Sequence, residues 1–268
     1  NYESSILEEL LSKVVTRSKR RIAGQFSTPK ELAYLLVGIS LENKEGFILD
    51  HCCGTGTISR ASYEIKKEYQ INEKEALNQV WASDKFRYPL QMAMLALSTP
   101  ENIGEKINIF KHDVFEFDEN KKILLHNPNN GSEIQEYLPK FDTIVSNLPF
   151  VQQEYLNKEA MSTISKKLYL KYSESLRLEG KSDLYSYIPF SILDILKENG
   201  TLGIIVSNSW LGTKWGKTFF ELLTKYFKVK YILLSGNGRW FDPPDAVTNI
   251  IVKKKTKEAK EDLEEVTS

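Results

Sequence analysis

The sequence predicts an α/β fold, a parallel sheet covered by helices on both faces. Three observations predict it. Short apolar runs alternate with runs of helical period from Phe47 to Val252. Four successive strand-like runs end at Asp50, Asp84, Asp113 and Asn147, at the sheet edge where α/β folds bind ligands. A glycine turn, Gly54-Thr55-Gly56, joins the first strand to a helix, as a βαβ unit requires.

Taken in order, Ile6, Leu7, Leu10, Leu11, Val14 and Val15 recur at helical spacing, so residues 4–16 read as an amphipathic helix. The basic cluster Arg17, Lys19, Arg20 and Arg21 follows; its plain reading is a solvated helix end, its functional one a phosphate contact. Thr28 before Pro29 reads as an N-cap with proline at the first helical position, opening a helix to about Ile39. Phe47–Asp50 is the first strand and residues 57–69 the first helix behind it. Gln79–Ser83 is the second strand, followed by a helix over 88–98. Lys106–Phe110 is the third, Phe141–Ser146 the fourth. A helix is expected over 183–198 with Gly200 as its stop, then a fifth strand over Leu202–Val206. A helix over 214–226, a sixth strand over Tyr231–Leu234 and a seventh over Val247–Val252 complete the series. The last is reached through a turn at Pro243-Pro244. Two polar excursions, 118–140 and 151–182, interrupt the alternation, and the second leaves directly from Asn147-Leu148-Pro149-Phe150.

With 268 residues, 41% of them hydrophobic, the chain can bury the core of one domain. Lys+Arg and Asp+Glu are both 36, which predicts weak nucleic-acid binding by this chain alone. There is no apolar run of membrane-spanning length and no secretory signal, so a cytoplasmic protein is expected. Cys52 and Cys53 are adjacent, form no disulfide framework or zinc spacing, and suit a reducing compartment; no metal site is expected. The chain opens on Asn1 rather than Met and is read as a piece of something longer.

Asp50-His51-Cys52-Cys53-Gly54-Thr55-Gly56 is not the dinucleotide fingerprint, because Ser stands at position 59. Asp84 is placed to accept from both hydroxyls of a ribose, and Asp113 to accept from an adenine amino group. Any one of them is ordinary turn chemistry; three in strand order is not.

These residues resemble the catalytic domain of the amino-group DNA methyltransferases, with the cofactor motifs ahead of the catalytic one. The modification subunits of type I restriction systems and their type II relatives are most similar. Gly24-Gln25-Phe26-Ser27-Thr28-Pro29 resembles the family's Gly-x-Phe-Tyr/Phe-Thr-Pro, and Asp50–Gly56 its Asp-Pro-x-x-Gly-Ser/Thr-Gly. The resemblance implies a Rossmann-like class I S-adenosylmethionine-dependent methyltransferase, with a seven-stranded, mostly parallel sheet and an antiparallel last strand. It implies a helical extension at 1–23, a catalytic domain at 24–255 and a charged tail or linker at 256–268. It further implies that Phe26, Thr28, Pro29, Asp50, Cys52, Gly54, Gly56, Asp84, Asp113, Val114 and Asn147 contact S-adenosylmethionine.

The catalytic motif of that family is Asn/Asp-Pro-Pro-Tyr/Phe/Trp, and here it reads Asn147-Leu148-Pro149-Phe150. An adenine amino nitrogen is a poor nucleophile because its lone pair is delocalised into the ring. The Asn147 side-chain oxygen and the Leu148 carbonyl can each hold one N–H, favouring a pyramidal nitrogen. Pro149 stiffens the turn, and Phe150 offers a face to a base flipped out of the duplex. Phe241 resembles a second base-stacking aromatic, or else packs the turn. Leu148 replaces the family's proline and is shared with ribosomal-RNA adenine dimethylases, and His51 replaces a second one. The expected reaction is N6 methylation of adenine in DNA within a restriction-modification system. RNA adenine methylation, protein glutamine methylation and an inactive cofactor-binding scaffold are the alternatives. The expected partners are double-stranded DNA, a separate target-recognition domain or specificity subunit, and a restriction subunit.

Overall fold

In the computed structural model, the described residues are 27–127, 130–150, 158–172, 182–235, 240–241 and 247–256. The expected helix over 4–16, the Arg17–Arg21 cluster, Phe26 and the Pro243-Pro244 turn lie outside them.

One seven-stranded sheet organises the molecule. Its strands are β1 (Ile48–Asp50), β2 (Val80–Asp84), β3 (Asn108–Lys111), β6 (Phe141–Asn147), β7 (Leu196–Ser207), β8 (Phe227–Leu234) and β9 (Thr248–Lys255), in the order β3-β2-β1-β6-β7-β9-β8. The pairings from β3 to β7 are parallel, and β9 runs antiparallel to both β7 and β8. The strand order turns back between β1 and β6. Connections leave in opposite directions there, and a crevice opens at the carboxyl ends.

Alternation along the strands builds two apolar layers. Ile48, Val80, Ala82, Val145, Ile205 and Ile250 face α1 (Lys30–Ser40), α2 (Thr57–Glu68) and α4 (Arg87–Leu97). Leu49, Trp81, Ile144, Leu202, Ile204 and Ile251 face the other way, toward α6 (Ile188–Ser191) and α7 (Lys214–Tyr226). All three residues of β1 are buried, the signature of a central parallel strand. At the amino ends of β1 and β2, opposite the crevice, Lys66 of α2 is fully buried. Its Nζ donates to the Lys44 and Gly46 carbonyls, both at 2.7 Å, and to Gln79 Oε1 at 2.8 Å, so every ammonium proton has an acceptor.

Several elements differ from the sequence reading. The helix over 183–198 is replaced by a 3-10 turn at Leu184–Ser186 and the short α6. Pro189 explains the break, since it has no N–H to give and its ring collides with the preceding turn. Gly200 is consequently no helix stop but lies inside β7, which begins at Leu196. α1 begins one residue later than expected, with Pro29 at the N-cap and no side-chain cap. Thr28 caps nothing and points to the site described below. A short helix, α3 (Glu73–Gln79), precedes β2; Asn72 caps it by accepting from the Glu75 N–H at 2.9 Å. The 118–140 excursion is an antiparallel hairpin, β4 (Lys122–His126) with β5 (Glu133–Tyr137). The 151–182 excursion contains α5 (Lys158–Tyr172), held to the rest by Leu168 in the core and by Lys167 Nζ on the Phe115 carbonyl.

Candidate active site

The glycine turn is shaped from below. Gly56, with φ +87°, caps α2, and a Cβ there would lie 2.8 Å from the Ala93 Cα of α4. Only glycine satisfies both the backbone and the packing. Gly54, with φ +52°, is different: a Cβ there would meet nothing within 4 Å. That open side is where a ligand can approach the main chain. The turn is fixed by Cys53 N–H to the Ser83 carbonyl at 2.9 Å and Gly56 N–H to the Cys53 carbonyl at 2.8 Å.

Asp50 lies behind the turn. Its Oδ1 accepts from Ser146 Oγ at 2.7 Å and its Oδ2 from Ser59 Oγ at 3.0 Å, while Ser146 Oγ accepts the Cys52 N–H at 3.0 Å. This bridge ties β1 to β6 across the crevice. Burial pushes the Asp50 carboxyl up to about 7 against those hydroxyl bonds. His51 is 1% exposed, and neither ring nitrogen has a hydrogen-bond partner among the described residues. Burial pushes it down to about 3, so it is neutral. Burial also raises both neighbouring thiols well above the ordinary cysteine range, which leaves Cys52 and Cys53 protonated and unreactive.

Asp84 ends β2 with Oδ2 accepting from the Gly54 N–H at 3.1 Å and Oδ1 from the Phe86 N–H at 2.9 Å. Burial raises its carboxyl, and the backbone donors pull the other way. Asp113 lies two residues past β3. Its Oδ1 accepts from Phe115 N–H at 3.1 Å, and its Oδ2 pairs with the exposed Lys85 Nζ at 2.9 Å. Val114 is buried beside it. A carboxylate has about four acceptor sites, so Asp84 and Asp113 keep capacity for ligand hydroxyl or amino groups.

On the other side of the crevice β6 delivers Asn147. Its Nδ2 donates to Thr28 Oγ1 at 3.1 Å, which fixes the rotation of the amide. Pro29 stands next to Thr28 at the start of α1. Leu148 is buried in the α7-side core, and its N–H donates to the Ile205 carbonyl at 3.0 Å. A proline could not make that bond. The residue that departs from the family pattern thus extends the β6–β7 ladder by one rung. Pro149 and Phe150 are half-buried, and Phe150 packs against both apolar layers. Phe241, itself buried, meets Phe150 edge to face with centroids 6.2 Å apart and planes at 88°.

The fold therefore gathers Thr28, Gly54, Asp84, Asp113 and Asn147–Phe150 along one rim, and keeps Asp50 underneath it. Ser59 and Ser146, which hold Asp50, escaped the sequence reading. No local pattern marks a serine whose partner is 96 residues away. Among the described residues there is no cluster of three or more metal-ligating side chains, and no helix is long and apolar enough to cross a membrane.

Comparison with known proteins adds a family. The sequence profile described as N-6 DNA Methylase matches residues 3–265. The chain is 35% identical over 96 residues to the type II methyltransferase M.BstVI of Geobacillus stearothermophilus, covering 35% of this chain and 16% of that protein. It is 25% identical over 230 residues to the type II methyltransferase M.AccI of Acinetobacter calcoaceticus, covering 85% of this chain and 36% of that protein. Among solved structures, a class I S-adenosylmethionine-dependent methyltransferase from Listeria monocytogenes superimposes with a TM-score of 0.61 at 16% identity, over 99% of this chain and 72% of the other. The DrdV–DNA complex superimposes with a TM-score of 0.65 at 18% identity, over 95% of this chain and 29% of the other. The chain thus spans well under half the length of the two curated relatives.

Proposed function

The chain belongs to the N-6 DNA Methylase family, and on that premise we propose that it transfers a methyl group from S-adenosylmethionine to the N6 nitrogen of an adenine in DNA, as the catalytic part of a restriction-modification enzyme. The observation that carries this reading is the double restraint on the catalytic motif. Thr28 sets the Asn147 amide from one side, and Ile205 sets the Leu148 backbone from the other.

The residues divide the work as follows. Asn147 Oδ1 and the Leu148 carbonyl each accept one N–H of the target amine and draw its nitrogen toward a tetrahedral shape. The lone pair is thereby released from the ring and aimed at the methyl donor. Phe150 receives the face of the flipped base, and Phe241 holds Phe150 from the edge; entry of a base exchanges part of that contact for stacking. The open side of Gly54, the backbone of Cys52 and Gly56, and the carboxylates of Asp84 and Asp113 beside Val114 suit the nucleoside of S-adenosylmethionine. Phe26, Thr28, Pro29 and Asn147 are assigned to its methionine end. When bound, that cofactor supplies an activated sulfonium methyl, so no strong general base is needed. Asp50 acts indirectly, by holding β1 to β6.

Leu148 also occurs in RNA adenine dimethylases, but its ladder bond accounts for it without an RNA substrate. Double-stranded DNA, a target-recognition domain or specificity subunit, and a restriction subunit are the proposed partners, in the cytoplasm of a bacterium or archaeon. The test is incubation of the full protein with labelled S-adenosylmethionine and adenine-containing duplexes. Label on adenine N6 is expected, with loss of about 100-fold or more in kcat in Asn147→Ala and a far smaller loss of cofactor affinity, since the nucleoside contacts remain. Label on structured RNA and on no duplex would overturn the DNA assignment.

A further inference from the structure

A second buried polar cluster closes the carboxyl end of β7. Asp183 is 4% exposed, and its Oδ2 accepts from Ser207 Oγ at 3.2 Å and from Ser209 Oγ in a shorter contact. The Ser207 and Ser209 hydroxyls lie 2.7 Å apart. Tyr185, fully buried, donates its hydroxyl to the Ser207 carbonyl at 3.3 Å and lies 2.9 Å from Ser209 Oγ. Ser186 Oγ donates to the Asp183 carbonyl at 2.6 Å. The aromatic side chains Trp215 and Phe219 pack against the Tyr185 ring, and Ser209 alone of the cluster is only partly buried. Burial raises the Asp183 carboxyl, and the serine hydroxyls oppose that rise.

A buried carboxylate is a poor way to gain stability, because its desolvation roughly cancels the bonds it makes. What such a network provides is a single geometry. The position of this one gives that geometry a use. Asn147 stands opposite Ile205 on β7, and the Leu148 N–H donates to the Ile205 carbonyl. Ser207 is two residues further along the same strand. The strand on which the catalytic motif rests is therefore pinned just beyond it.

We propose that Asp183 is a positioning residue for the methylated amine: through Ser207 and Ser209 it fixes the end of β7 against which Asn147 and Leu148 are registered. The proposal rests on the methyltransferase reading above. An acceptor pair held too loosely misdirects the lone pair in the transition state while leaving the nucleoside end of the cofactor subsite, on β1 to β3, untouched. A displacement of about 1 Å in such a site costs up to about 100-fold in rate.

The experiment compares methyl transfer to adenine-containing duplexes by the full protein and by Asp183→Ala, Asp183→Asn, the Ser207→Ala/Ser209→Ala pair, and all three alanines together. Cofactor Kd and Tm are measured on each. Lys66→Met, whose buried ammonium lies at the amino ends of β1 and β2, serves as the destabilised control. Asp183→Ala is expected to lower kcat by about 10- to 100-fold with a far smaller change in cofactor Kd. The serine pair should lose the same amount, and the triple variant no more, since the three act as one unit. Asp183→Asn keeps an acceptor oxygen and should recover most of kcat. Lys66→Met should lower Tm and leave kcat alone. Wild-type kcat in Asp183→Ala, additive losses, or an equal kcat loss in Lys66→Met at equal loss of Tm would overturn the proposal. If Asp183→Ala does not fold, the serine pair decides by the same criteria. A parent protein that methylates no duplex, with Asn147→Ala indistinguishable from it, overturns the functional reading and this proposal together. An active parent with an equally active Asp183→Ala overturns the positioning role alone.

Discussion

Asp50 and His51 are neighbours, both fully buried, and burial moves them in opposite directions. The folded chain holds a proton on Asp50 up to about 7, against 3.8 for an ordinary aspartate, so the stability this group confers is full below 3.8 and is lost as pH rises to about 7. His51 runs the other way. The unfolded chain protonates it below 6.5 and the folded chain only near 3, so stability is lost as pH falls through that interval. Between 3.8 and 6.5 the two slopes oppose each other. Replacing His51 by Leu removes one of them. Relative to wild type, His51→Leu should gain about 2 kcal/mol between pH 6.5 and pH 5, read from urea midpoints at the two pH values. Parallel behaviour of the two proteins would show that His51 is not held neutral. Leu148→Pro is the second test at this scale. It removes the N–H bonded to Ile205 and part of a buried side chain, and should cost about 2–4 kcal/mol in denaturant unfolding. Asp50, Asp84 and Asn147 were legible as strand ends, and Asp113 as lying near one, two residues past it, because the change from apolar run to turn chemistry is local. Which way each side chain turns was not. Asp50 faces inward to Ser59 and Ser146, and that depends on a strand almost a hundred positions later.

Elements whose period and stop signals agreed were legible almost to the residue. α7 at Lys214–Tyr226 is an example, with Thr213 accepting from the Gly216 N–H at 3.1 Å as its cap. Elements were missed where two signals conflicted. Ile188, Ile192 and Ile195 have helical spacing, but Pro189 stands among them, and the chain forms a short turn and an early strand instead. β4 was passed over because Leu124, on its exposed face, spoils the alternation that buried Ile123 and Leu125 otherwise show. The glycine turn gives a prediction at this level, since its two glycines are constrained for different reasons. Gly56→Ala meets both a left-handed backbone and the Ala93 Cα, and should cost about 3 kcal/mol. Gly54→Ala meets only the backbone term, about 1 kcal/mol, because its Cβ enters open space. That same methyl lies on the ligand side, so Gly54→Ala should weaken cofactor binding more than it weakens the fold. Calorimetric unfolding and cofactor titration of the pair separate the two effects.

Among the described residues, two apolar layers cover a mostly parallel sheet whose strand order turns back between β1 and β6, and polar side chains at or just past four strand ends lie there. The balanced charge of the chain fits a catalytic part that acts on a base presented by another region, and the curated relatives extend far beyond the matched segment. Cofactor binding should therefore register on the global fold independently of DNA. S-adenosylmethionine at about 100 times its Kd should stabilise the chain by about 2.7 kcal/mol. Asp84→Ala, which releases both the Gly54 and the Phe86 N–H, should abolish most of that increment. An unchanged increment in Asp84→Ala would remove this carboxylate from the nucleoside subsite.

The rung between Leu148 and Ile205 has one more consequence. A motif with two consecutive prolines carries no amide proton at either position, so those two positions give no amide-proton signal in NMR. Here the middle of the motif keeps one. Leucine labelled with ¹⁵N, with the Leu148 signal identified by its loss in a Leu148 variant, places a resonance inside the motif. Its shift and its rate of exchange with deuterated water would report the state of the motif before and after cofactor and DNA are added, with no reporter group attached.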